Sequence, residues 1–336
     1  MRMMRMGGEE VVGVITTEDV EGVDGSVATA EVHGVSIPKW AEVLRSQSDW
    51  ILRTALPLLW AVGLIAICDR ESFMRNLFMP VLGVFAALLA NTVPIGGGIV
   101  YVPMLQLLGE KIQLSVSFTV SVMTFGNGVF GFLHWLKNDP SMLVWGSFPY
   151  TVLPSWLGSL CGILLLPPLA TYWVKVLFGV FSFGLAGYVF LLASAQAKLQ
   201  AGDHPVTTVN GRPSPSVEKW YVVSTVSFLG GLVLVTNIGI GPALVTFFLL
   251  GGEYLGYSHK QAIVTGIITG GWVCVVPFLL HLLVLKDVPL TLWIMVLPGV
   301  WLGAKLAPGF FEWAGLTNVL YGFGVFLLAS SALFLL

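Results

Sequence analysis

Asn91-Thr92-Val93-Pro94-Ile95-Gly96-Gly97-Gly98 sits inside an apolar run, 77–108, that is too long for one simple membrane span. Thr236-Asn237-Ile238-Gly239-Ile240-Gly241-Pro242 interrupts a second apolar run, 220–250, in the same manner. Backbone that leaves the helix within hydrocarbon must find hydrogen-bond partners. It therefore survives only where it is buried in protein or lines a polar cavity. Pro94 removes a backbone donor and forbids regular helix around it. Gly96, Gly97 and Gly98 allow positive φ and leave no side chain between main chain and ligand. Gly239, Gly241 and Pro242 repeat that chemistry, with Pro242 suited to a first helical turn. These two stretches predict an all-α polytopic membrane protein organised around a pair of broken helices.

Composition points the same way. Of 336 residues, 56% are hydrophobic and 10% charged, and the mean hydropathy is +0.87. Soluble domains carry roughly 25% charged residues, so lipid must be the solvent for most of this surface. The first 50 residues hold nine acids against four bases, half of the 18 acids in the chain. That predicts a solvated, flexible, mildly acidic tail over 1–49. It has no basic stretch leading into an apolar one, so no cleavable signal peptide is expected. Cys68, Cys161 and Cys274 lie in or at the ends of apolar runs, with no CxxC or Cys/His cluster. They read as small buried hydrophobes rather than a disulfide framework or zinc site.

A spanning helix needs about 20 mostly apolar residues. The run 51–68 is slightly short and carries Arg53; it is expected to cross with Arg53 snorkelling. Further spans are expected at 112–135, 142–166 and 172–193, then 258–283, 289–311 and 316–336. The organisation read from these is a tail, 1–49; a leading hydrophobic helix and loop, 50–76; a first membrane repeat, 77–195; a polar linker, 196–219; and a second repeat, 220–336. The halves overlay in order. Leu108-Gly109 falls on Leu250-Gly251, Lys137-Asn138-Asp139-Pro140 on Lys286-Asp287-Val288-Pro289, Leu157-Gly158 on Leu302-Gly303, and Leu177-Phe178-Gly179 on Leu320-Tyr321-Gly322. Collinear self-similarity across a membrane half is the signature of transporters built from internal repeats. Inverted repeats are expected. Lys and Arg lie in short loops on both sides, so the charge rule does not decide orientation.

A half-helix that starts at a break aims free N–H groups and a positive dipole end into the membrane interior, which makes an anion site. Candidate binding residues are Asn91, Pro94, Gly96, Gly97, Gly98, Asn237, Gly239, Gly241 and Pro242. Thr119 and Thr265, which coincide between the halves, are the candidate hydroxyl donors. The plainer reading is that these glycines only permit close helix packing. The small-residue stripes Ser117, Ser121, Thr124, Gly128 and Gly131, then Gly158 and Gly162, then Gly299, Gly303 and Ala307, read as helix-contact faces. Asn127 suits either a cavity or a neighbouring helix. Lys305 could counter an anion or snorkel to headgroups. His134 and His281 read as interfacial, with proton coupling the sharper alternative.

No P-loop, HExxH, GxSxG, paired intramembrane aspartates, arginine ladder or potassium-channel filter is present in the sequence. Catalysis and a bound cofactor or metal are not expected, nor is nucleic-acid binding.

The order of motifs resembles the sulfite exporter TauE/SafE family of membrane permeases. In the first half the resemblance lies in Pro94-Ile95-Gly96-Gly97-Gly98, Pro103, Leu108-Gly109, Thr119, Leu157-Gly158 and Leu177-Phe178-Gly179. In the second it lies in Asn237-Ile238-Gly239-Ile240-Gly241-Pro242, Ala262-Ile263-Val264-Thr265, Leu302-Gly303 and Leu320-Tyr321-Gly322. It implies transport of sulfite, sulfonates or related sulfur-containing anions. The tail, the leading helix, the long linker and Ile240 in place of a third glycine depart from the pattern. The expected function is a secondary transporter of a small anion working by alternating access in the plasma membrane or an internal membrane. The alternatives are an anion channel, or a scaffold whose tail or linker recruits soluble partners. A homo-oligomer is compatible with the sequence.

Overall fold

A computed structural model describes residues 37–92, 98–165, 171–200, 217–233 and 259–335. Residues 1–36 of the expected tail and most of the linker lie outside the described residues. So do Pro94, Gly96, Gly97, Asn237, Gly239, Gly241 and Pro242.

Eleven helices carry the described chain. They are α1 (Lys39–Ile67), α2 (Arg70–Arg75), α3 (Met79–Thr92), α4 (Gly98–Leu107), α5 (Ile112–Asn138) and α6 (Phe148–Leu165). Then come α7 (Thr171–Gln200), α8 (Val217–Val233), α9, α10 (Leu290–Ala314) and α11 (Leu316–Leu335). α9 joins His259–Val273, Val275–Leu280 and a π turn at His281–Leu285. No strand occurs among the described residues. Among the described residues, six helices are long and apolar enough to cross a membrane, so the chain is an integral, multi-pass membrane protein.

Several boundaries depart from the expected ones for local reasons. α1 starts at Lys39, well before the apolar run, because its first turns are a solvated helix tied down by Asp49. That carboxylate bonds Lys137 at 2.6 Å and Arg53 at 3.4 Å. The helix then passes through a π turn at Ile51–Ala55. The span expected over 142–166 runs Pro140–Leu165, opening with short 3-10 segments at Pro140–Met142 and Trp145–Ser147 before α6 begins at Phe148. α7 runs on to Gln200, five residues into the expected linker, since no Pro or Gly occurs there to stop it. Gly109 adopts φ +83° and closes α4, a left-handed exit that glycine takes without steric cost. In the α1–α3 connection, Asp69 caps α2 by accepting from the Ser72 N–H at 2.6 Å. The same bond holds the Asp69 carboxyl below the usual carboxylate range.

Close glycine contacts fix the helix pairs and their directions. A Cβ at Gly299 of α10 would strike the Pro80 carbonyl of α3, and one at Gly303 the Val84 carbonyl, so α3 and α10 run parallel. Gly158 of α6 meets Phe228 of α8, and Gly231 of α8 meets Ser155, whose hydroxyl donates to the Ser227 carbonyl at 2.9 Å. These two also run parallel. α7 and α11 are antiparallel, joined by Ser331 to the Gly179 carbonyl at 2.8 Å and Ser194 to Tyr321 at 3.3 Å. α5 and α9 are antiparallel too. The Ser117 hydroxyl donates to the Asp287 carbonyl at 2.9 Å, and the Trp272 indole to the Gly128 carbonyl at 2.8 Å. The glycine stripes of α6 and α10 are thus contact faces. α5 is the central helix: nearly every residue from Ser115 to Leu136 is buried.

Candidate functional site

α3 reaches Asn91 and Thr92, and α4 is described from Gly98. The expected break between them, 93–97, lies outside the described residues; Asn91, beside it in the chain, is 2% exposed. Its Nδ2 donates to the Ala87 carbonyl at 2.9 Å and lies 3.5 Å from the Asn127 Oδ1. Asn127 in turn directs Nδ2 to the carbonyls of Ala90 and Ile267, each at 3.4 Å. Two amides so link α3, α5 and α9 at one point.

That point is deep. Asn127 stands about 22 Å from the start of α5 and about 16 Å from its end at 1.5 Å rise per residue. Neither side chain is there by propensity, because a buried amide costs free energy unless its hydrogen bonds are met. They are not all met. Asn91 Oδ1 has no hydrogen-bond partner among the described residues, and neither has the Thr269 hydroxyl on α9 or the Tyr101 hydroxyl on α4. All three groups are at most 2% exposed. Tyr101 packs edge-on against Phe118, with ring centres 5.5 Å apart.

α5 changes pitch at this level, forming a π segment over Gly126–Gly131. A π segment inserts an extra residue into the turn and often marks a functional site. Here it turns Asn127 toward α3 and α9. Gly128 lets α5 approach the backbone of Gly271, and Gly131 leaves room for the Asn91 amide. Small residues on both helices make this contact, and a Cβ at any of the three would displace backbone or the amide.

The hydroxyl candidates sit apart from this node. Thr119 is buried and donates to the Ser115 carbonyl of its own helix at 2.7 Å. Thr265 is buried, accepts from the Val144 N–H at 3.0 Å and lies 3.2 Å from the Met142 carbonyl. It ties α9 to the connection between α5 and α6. Gly98 opens α4. Of the sequence candidates, then, Asn91 and Gly98 bound the undescribed stretch 93–97, Thr119 bonds within its own helix, and Thr265 ties two elements together. Thr269 and Tyr101 were not among the candidates, since a Thr among the small residues of α9 and a lone Tyr in an apolar run carry no signal of their own.

A family model described as Sulfite exporter TauE/SafE matches residues 79–335. No curated protein and no solved structure matches the chain.

Proposed function

The chain belongs to the sulfite exporter TauE/SafE family, and from that premise we propose that it is a secondary transporter of a small sulfur-containing anion, sulfite or a sulfonate, working by alternating access. The observation that carries this reading is the polar node of Asn91 and Asn127, buried at mid-depth among α3, α5 and α9, with the unpartnered Thr269 hydroxyl two residues along α9 from the Ile267 carbonyl that Asn127 meets. Oxyanions suit such a place. Main-chain N–H groups at the start of α4 and at Gly96, Gly97 and Gly98 would bind the charged oxygens. The Thr269 and Tyr101 hydroxyls would donate the remaining hydrogen bonds. On the second half Asn237, Gly239, Gly241 and Pro242 would form the matching cradle, and Thr265 would tie α9 to the connection between α5 and α6.

The two halves, on this proposal, are inverted repeats. The overlay in sequence matches α3 to α8, α5 to α9, α6 to α10 and α7 to α11. Helix packing supports it: the α3–α10 and α6–α8 contacts are one contact exchanged between halves, and both are parallel. The self-matched pairs, α5–α9 and α7–α11, are antiparallel. A twofold axis lying in the membrane plane produces that combination, and an axis along the membrane normal does not.

The test is flux of labelled sulfite and of a taurine-like sulfonate in proteoliposomes holding the purified chain. Saturable transport of one of them is expected, and Gly97→Leu should abolish it while the protein stays folded. Normal flux by Gly97→Leu would remove the break from the binding site. Single-channel currents of high throughput would replace the carrier with an anion channel.

A further inference from the structure

We propose that one anionic phospholipid binds between α1, α5 and α10, an acyl chain filling the cavity there and its phosphate meeting Arg53 and Lys305. The cavity measures about 330 Å³. Its wall includes Pro57 and Trp60 of α1, Phe125 and Phe130 of α5, and Trp293 and Trp301 of α10. All three helices are long and apolar enough to cross the membrane. Water needs polar groups to hold it in a cavity, and this lining is apolar. At hydrocarbon depth the neighbouring solvent is acyl chain.

The chain directions decide which end carries the headgroup. Trp60 donates to the Ile294 carbonyl at 2.8 Å, near the start of α10. Asp49, at the other end of α1, pairs with Lys137 at the end of α5. The rings of Phe125 and Trp293 lie 5.1 Å apart, and further along both helices Gly126 packs against Val300, so α5 and α10 advance together and α1 runs against both. Arg53 stands one turn beyond Pro57, and Lys305 one turn beyond Trp301, toward the same membrane face. The Lys305 ammonium lies 5.6 Å from the Trp301 ring centre. Asp49 is shared between Arg53 and Lys137, and no carboxylate pairs with Lys305 among the described residues. This face of the cavity therefore carries net positive charge, which complements a phosphate.

The glycerol esters of a phospholipid, held one turn below its phosphate, lie at the depth of Trp301. Phe125 precedes the π segment that carries Asn127, and Phe130 lies within it. A chain in this cavity would pack against that segment.

Native mass spectrometry of the detergent-purified full chain tests this, with phosphatidylglycerol and phosphatidylcholine of equal acyl length as probes. One retained phosphatidylglycerol is expected, favoured over phosphatidylcholine by about 30-fold for two basic groups at about five-fold each. Lys305→Gln should lower that preference by about five-fold. Leu59 of α1 and Leu297 of α10 also line the cavity; Leu59→Trp and Leu297→Trp, which add bulk there, should both lose the retained lipid while keeping the gel-filtration profile of the parent. Equal retention of the two lipids, or retention unchanged in whichever cavity variants stay folded, overturns the proposal.

Discussion

At the scale of single residues, what distinguishes the buried hydroxyls is the acceptor each one reaches. Thr119 donates to the Ser115 carbonyl, four residues back in α5, and that carbonyl already accepts the helical N–H. Removing the hydroxyl leaves nothing unpaired. Thr265 instead satisfies the Val144 N–H, a buried main-chain donor with no other recorded acceptor. Leaving such a group unmet costs about 1–3 kcal/mol. Thermal unfolding in detergent should therefore show Thr119→Val within about 0.5 kcal/mol of the parent and Thr265→Val destabilised by about 1–3 kcal/mol. Similar losses in the two variants would contradict the hydrogen-bond assignment. The comparison also bears on transport. If Thr265 only positions α9, flux per folded molecule should survive its replacement; if it touches the anion, flux should fall further than stability does.

At the scale of helices, packing depends on the absence of a Cβ. α3 and α10 approach so closely that Gly299 faces the Pro80 carbonyl and Gly303 the Val84 carbonyl. Without a hydrophobic driving force between helices in lipid, such close van der Waals contact carries association. Gly299→Leu should separate the pair and cost at least 1–3 kcal/mol, the usual range for overpacking. Gly309→Ala, on the same helix but with nothing within 4 Å of an added Cβ, should gain about 0.5–1 kcal/mol through helix propensity. Melting curves of the two variants shifting in the same direction would refute this account of the contact. This level was the most legible in sequence. Apolar length and the glycine stripes at Gly158, Gly299 and Gly303 announced both spans and contact faces. The π segment at Gly126–Gly131 was not legible. Its residues read as ordinary helix, and it lies where α9 approaches at Gly271. For the same reason the Asn127 bonds to α3 and α9 could be offered only as one of two orientations. The cavity behind Phe125 was equally hidden, since it is made by three helices far apart in the chain.

At the scale of the whole molecule, the decisive property is the direction of one half relative to the other. The short connections after α5 and after α9 occupy corresponding places in the sequence overlay, at Lys137-Asn138-Asp139-Pro140 and Lys286-Asp287-Val288-Pro289. α5 and α9 run antiparallel, bonded from Ser117 to Asp287 at one end and from Gly128 to Trp272 nearer the other. Each is long enough to span the bilayer, so the two connections should emerge on opposite faces. The experiment starts from a chain in which Cys68, Cys161 and Cys274 are replaced by Ser or Ala, so that no native thiol reacts. Asn138→Cys and Lys286→Cys are then introduced singly, at residues in the two connections, and labelled in sealed vesicles with a membrane-impermeant maleimide. One variant should label before permeabilisation and the other only after it. Labelling of both from one side would make the halves parallel. The exchanged α3–α10 and α6–α8 contacts would then need another cause, and a rocking motion of inverted halves about a shared central site would lose its structural basis.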